Sequence, residues 1–159
     1  MFIVSNARLF RRLSRMIFAG AVAMAAFGAA SARAEVVIDV DLTTQTMRVA
    51  SAEGSYNWPV STARAGFSTP RGHFAPTGME RMHYSKKYHN SPMPYSIFFR
   101  GGYAIHGTYA TGALGRPASH GCVRLSPAHA AQLYQMVERE GASISIAGAP
   151  RVAARYASR

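Results

Sequence analysis

The chain has 159 residues, 18 Lys and Arg against 7 Asp and Glu, a formal charge of +11 and a single cysteine. One cysteine excludes an internal disulfide framework, and the length suits one hydrophobic core rather than several. The basic residues form no stripe interleaved with aromatics and no long run, which argues against nucleic acid as a partner.

Much of the charge sits at the start. Arg8, Arg11, Arg12 and Arg15 precede an apolar run over 16–30, and Ala32-Arg33-Ala34 follows just before Glu35. A basic region, an apolar stretch and a small-x-small site together make a secretory leader at 1–34, too short and too rich in Ala and Gly for a good permanent span. The alternative is an uncleaved membrane anchor. On the leader reading a single domain at 35–159 is exported across the inner membrane to the periplasm or cell envelope. Its thirteen basic and seven acidic residues leave +6, which suits a polyanionic surrounding such as a cell wall.

The exported part reads as mainly β. Val36, Ile38, Val40 and Leu42 alternate with polar positions including Asp39 and Asp41, the pattern of a half-buried strand. A second strand is expected over 46–50, a turn at Ser51-Ala52-Glu53-Gly54 and a third strand over 55–61. Gly66, Pro70, Gly72, Pro76 and Gly78 then punctuate the chain, with room for a short strand at 72–74. Residues 80–94 show no periodicity and are expected to form a long loop. Apolar strands follow over 95–99 and 103–105, joined by Gly101-Gly102. One helix is expected: Ser126 caps it, Pro127 opens it, Ala130, Leu133, Tyr134 and Val137 form its apolar stripe, and Gly141 stops it. A last strand at 143–147 precedes a frayed basic tail, 149–159.

The cysteine lies in "SHGCVRL", 119–125. By itself an unpaired thiol is as readily a small buried apolar residue as a reagent. Its surroundings favour use. A nucleophilic cysteine needs a base, a group to orient that base and donors for the oxyanion of a tetrahedral intermediate. His106 ends an apolar strand and precedes Gly107, which places its ring on a rigid element with a tight exit. A Gly/Pro-bearing loop then leads to Cys122 and could fold it back toward His106. Gly121 lets backbone N–H groups approach a carbonyl closely, and the N–H of Cys122 is the natural oxyanion donor. A thiol of pKa about 8.5 is a few per cent ionised near neutrality, and lowering that by about two units corresponds to roughly 2.7 kcal/mol. A neighbouring imidazolium is expected to supply this, with Arg124 adding positive potential.

These residues resemble the YkuD-type L,D-transpeptidase catalytic domain, a family of cysteine enzymes that cross-link or decorate peptidoglycan. "DLTTQTMRV" (41–49) is similar to its first hairpin, "TPRGHF" (69–74) to its T-P-x-G-x-F segment and "YAIHG" (103–107) to its histidine motif, with SHGCVRL completing the set. The resemblance implies a small antiparallel β-sandwich or partly closed barrel with one packed α-helix. It implies Cys122 as nucleophile and His106 as base, with the Gly107 carbonyl receiving the other imidazole proton. Ser119 and His120 match positions that shape the substrate site, Gly121 the glycine before the nucleophile, and Arg124 a position that holds anionic substrate or braces the loop. The implied reaction is acyl transfer in peptidoglycan biosynthesis. Cys122 attacks the diamino acid carbonyl of a tetrapeptide stem, D-alanine leaves, and an amine of another stem or of an envelope protein takes the acyl group, with no cofactor or metal. Carbapenems are expected to acylate the same sulfur. Two other readings stay open: an amide hydrolase using the same pair with water as acceptor, and a non-enzymatic envelope-binding protein.

The remaining histidines, His73, His83, His89 and His129, have no short-spaced ligand pattern, so no metal is expected. Tyr56, Trp58, Tyr84, Tyr88 and Tyr95 suit substrate stacking and ordinary packing equally well.

Overall fold

The computed structural model describes residues 35–149. The leader expected at 1–34 and nearly all of the basic tail lie outside them. The described residues form two sheets and one helix. In chain order the elements are β1 (Val36–Asp41), β2 (Thr46–Ser51), β3 (Gly54–Pro59), β4 (Gly72–Phe74), β5 (Gly78–Ser85), β6 (Ser91–Arg100), β7 (Tyr103–Gly107), β8 (Val123–Leu125), α1 (Pro127–Glu140) and β9 (Ala142–Ala147).

The first sheet runs β3-β2-β1-β9-β4 and the second β5-β6-β7-β8. Most pairings are antiparallel, but β1 with β9 and β7 with β8 are parallel, so both sheets are mixed. Neither closes into a barrel. Period-2 alternation sets the inner face: Val36, Ile38 and Val40 of β1 and Ile144 and Ile146 of β9 are buried side by side. Ile97, Ile105, Val123 and Leu125 supply the second sheet's share of the same core.

The helix forms as its sequence dictates. Ser126 Oγ accepts the His129 N–H, Pro127 occupies the first turn, and Gly141, with φ 76°, ends the helix. Ala130, Leu133, Tyr134, Met136 and Val137 are buried, and the helix packs chiefly on β6 and β7.

Two expectations about elements fail. Residues 80–94 are no loop: β5 and β6 form a hairpin, closed by a 3-10 turn at Lys86–Tyr88. One face of β5 is exposed and the other, with Met79, Arg81, His83 and Ser85, is at most half-buried and mostly polar, so no apolar alternation marks it. Pro92 and Pro94, residues that ordinarily argue against a strand, sit in β6, which kinks at Tyr95, where φ is 56°. The third strand also stops at Pro59. Residues 60–64 leave the sheet as a strap toward the second one, held by isolated bridges from Ser61 to Arg124 and from Ala63 to Ser119.

Candidate active site

His106 comes from β7. Ile105 packs into the core, and His106 turns the other way into a crevice of about 470 Å³. Its Nδ1 lies 2.7 Å from the Gly107 carbonyl oxygen. A carbonyl only accepts, so Nδ1 carries the proton and Nε2 keeps a free lone pair. Gly107 lets the chain pack closely there, because a Cβ would lie 3.0 Å from Pro94 Cγ and 3.2 Å from Pro127 Cα, tighter than ordinary contact. The kinked strand and the helix start thus press on the residue that orients the base.

Cys122 comes from the loop before β8, which the parallel register sets beside β7: Ile105 faces Val123 and His106 faces Arg124. Ser119 shapes that loop. Its buried Oγ donates to the Cys122 carbonyl at 2.7 Å and accepts the Gly121 N–H at 3.0 Å. The Gly121 N–H is therefore occupied by the Ser119 hydroxyl and does not point freely into the crevice. Gly121 contributes by conformation, with φ 130° and no room for a side chain between the Tyr103 ring and the Ser68 carbonyl oxygen. The strap holds the loop from outside. Ser61 exchanges two backbone hydrogen bonds with Arg124, at 2.9 and 3.0 Å, the Ser119 N–H donates to Thr62 O, and the Arg64 N–H donates to Ser119 O. Buried Gln45 anchors the strap in turn, its amide bonding Leu42 O, Thr62 Oγ1 and Thr62 N–H.

The electrostatics differ from the expected thiolate–imidazolium pair. Burial lowers the His106 pKa to about 4, against a rise from its bond to Gly107 and a further lowering by Arg124. Burial pushes the Cys122 thiol up, opposed by a backbone hydrogen bond from Ala104 and by the charge of Arg124. Both groups are neutral at rest, because a half-enclosed apolar crevice penalises the two charges more than their neighbours stabilise them.

The structure brings Cys122, His106, His120 and Arg124 to one crevice, with Gly107, Ser119 and Gly121 behind them. Of the aromatic candidates only Tyr88 lines it; Trp58 is buried between Tyr56 and His129, Tyr95 packs on Tyr134 and Tyr84 is exposed. Lys87, Met93, Tyr103 and Tyr109 also line the crevice; of these, Met93 and Tyr109 are marked by no sequence pattern. His73, His83, His89 and His129 stay apart, in β4, β5, the β5–β6 turn and α1.

A sequence model of the YkuD L,D-transpeptidase catalytic domain matches residues 35–146. An L,D-transpeptidase from Stackebrandtia nassauensis is similar in structure, with 31% identity and a TM-score of 0.65 over 74% of this chain and 57% of that one. One from Mycobacterium smegmatis has 26% identity and a TM-score of 0.64 over 72% and 59%. LdtMt1 in complex with imipenem, at 19% identity, shares the fold with a TM-score of 0.63 over 72% and 59%. The chain thus spans less than two thirds of each of these chains. No curated protein matches it.

Proposed function

The chain belongs to the YkuD L,D-transpeptidase catalytic domain family, and on that premise we propose that it is an exported acyltransferase of the cell envelope acting on peptidoglycan stem peptides. The observation that carries this reading is the shared crevice of Cys122 and His106, with the imidazole tautomer fixed by the Gly107 carbonyl.

The reaction starts from neutral partners. As Cys122 Sγ attacks the donor carbonyl, its proton passes to His106 Nε2, so charge develops only when the oxyanion forms. The Cys122 N–H faces that oxyanion. Collapse breaks the C–N bond, and the proton on His106 goes to the departing D-alanine amine, leaving a thioester and a neutral imidazole. An acceptor amine then attacks the thioester. Its proton moves through His106 to the sulfur, an amide forms and the thiol is restored. The resident chemistry needs only side chains and backbone amides.

The test is incubation with purified tetrapeptide stems followed by intact mass spectrometry. An adduct on the SHGCVRL peptide, absent in Cys122→Ala, with dimeric products in solution, supports transfer. Shortened monomers alone would assign the acceptor role to water, and a thiol inert to stems and alkylating reagents alike would leave a binding protein.

A further inference from the structure

The crevice is cationic and contains no carboxylate. The seven acidic residues are Glu35, Asp39, Asp41, Glu53, Glu80, Glu138 and Glu140, and none lines it. The ion pairs among the described residues use Arg81, His83 and Arg139. Arg124 and Lys87, which do line the crevice, have no acidic partner there, and neither does Arg64 nearby. Arg124 is half-buried, and its guanidinium makes no hydrogen bond to any described residue. A planar fork of five donors in that state is matched by a carboxylate, which it can hold through two parallel hydrogen bonds.

Arg64 and Lys87 are drawn toward the nucleophile loop by a row of rings. The Arg64 guanidinium carbon lies 4.9 Å from the Phe67 ring centre. Phe67 meets His120 edge-on at 4.6 Å, and His120 stacks on Tyr88 at 4.4 Å. Lys87 Nζ lies 5.6 Å from the Tyr88 ring centre. The row joins three segments distant in sequence and ends in a cation on either side. It is no core contact, since Phe67 is 44% exposed. Burial first, and then the charges of Arg64, Arg124 and Lys87, hold the His120 imidazole below the ordinary range. Three like charges gathered around one neutral ring, with no acid among them, describe a surface completed by an anion.

We propose that Arg64 and Lys87, gathered beside Arg124 by the row of rings, extend its positive charge into a subsite for a free carboxylate on the donor peptide. The inference rests on the acyl-transfer reading above. Two carboxylates of a stem can fill the role: the terminal one on the departing D-alanine, and the side-chain one where the diamino acid is diaminopimelate. Either is monovalent and planar, the terminal one close to the attacked carbonyl and the side-chain one at the far end of the diamino acid.

Three tetrapeptides containing diaminopimelate separate the cases: one with both carboxylates free, one amidated at its C-terminus and one amidated on the diaminopimelate side chain. The readout is the rate of Cys122 acylation by intact mass at subsaturating peptide. Amidation of the carboxylate that is read slows the wild-type protein about tenfold or more, the scale of a lost charge-assisted pair, and the slow peptide identifies which carboxylate it is. In Arg64→Gln with Lys87→Gln the ratio of free to amidated peptide falls toward one, and Arg64→Lys restores part of it. Thermal melting shows that the variants, altered only at exposed side chains, remain folded. Equal acylation by all three peptides, or an unchanged ratio in the folded double variant, overturns the subsite and leaves the acyltransferase standing. Failure of every peptide to acylate a thiol that iodoacetamide still alkylates overturns the acyltransferase reading and the subsite with it.

Discussion

At the scale of single residues, Cys122 and His106, the proposed nucleophile and base, are both held neutral by burial, and this has a pH signature. On the proposed mechanism the reactive form of His106 is neutral. With its pKa lowered to about 4 by burial, acylation by tetrapeptide at constant thiol protonation should hold steady down to about pH 5 and fall as the ring charges below that. The same shift bears on stability. Between about 4 and the ordinary 6.5, the unfolded chain binds a proton that folded His106 refuses, so stability declines as pH drops through this window and levels off below it. The loss approaches about 3 kcal/mol at pH 4. Thermal melts from pH 7 to 4 should therefore show a steeper decline in wild type than in His106→Gln, and parallel curves would contradict a buried neutral ring. Cys122→Ala should abolish acylation without lowering the melting temperature by many degrees, because the thiol contributes chemistry more than packing. Gly121→Ala should cost both. Its φ of 130° disfavours a side chain, and the new Cβ would lie 2.8 Å from the Ser68 carbonyl oxygen, a backbone atom that cannot rotate away. We expect acylation to fall more than tenfold, and removing the Tyr103 ring in the same protein should not restore it.

At the scale of elements, what could be read from the sequence was what a single periodicity reports. Strand β1, with Val36, Ile38 and Val40 inward, and helix α1, with its Ser126 cap and Gly141 stop, announce themselves because one face is buried and the ends carry distinctive residues. The β5–β6 hairpin does not, because Arg81, Met82 and Tyr84 are all exposed and Pro92 and Pro94 occupy a strand that bends. The three-residue β8 is hidden for another reason: its parallel partner β7 is separated from it by the whole loop that delivers Cys122. The site divides in the same way. SHGCVRL and YAIHG are contiguous motifs, and their side chains do meet in one crevice. The strap over 60–64, Arg64 and the row of rings on His120 depend on tertiary contacts that leave no local pattern. The loop that the strap holds can be tested through Ser119, whose buried hydroxyl serves both Gly121 and Cys122. Ser119→Ala leaves a backbone donor and acceptor unpaired, which costs about 1–3 kcal/mol, and should slow acylation of Cys122 by stems. Ser119→Thr keeps the hydroxyl and should retain more activity than the alanine variant. A fully active Ser119→Ala protein with reduced melting temperature would make the hydroxyl a matter of stability alone.

At the scale of the whole molecule, none of the acids lines the crevice, while residues 35–159 sum to +6. Arg81 is engaged with Glu138 at 3.2 Å, so it contributes less to the outward field than its place in the β5–β6 hairpin suggests. Lys86 and Arg116, both exposed and without acidic partners among the described residues, contribute more. If the substrate is a wall polymer rich in carboxylates, such a field raises the encounter rate without adding to the chemistry. Screening identifies the effect, because exposed charges act over a Debye length of about 8 Å at physiological salt and about 3 Å at 1 M. Sacculus binding should therefore weaken steadily with added salt, and Lys86→Glu with Arg116→Glu should weaken it further while flattening the salt dependence. The same double variant should leave acylation of Cys122 by a small carbapenem within about twofold of wild type at high salt, where steering is screened and only the crevice contributes. Sacculus binding indifferent to salt would reject steering and place recognition in the shape of the crevice. A double variant that lost carbapenem acylation at high salt would show that these two side chains act on the chemistry rather than on the approach to it.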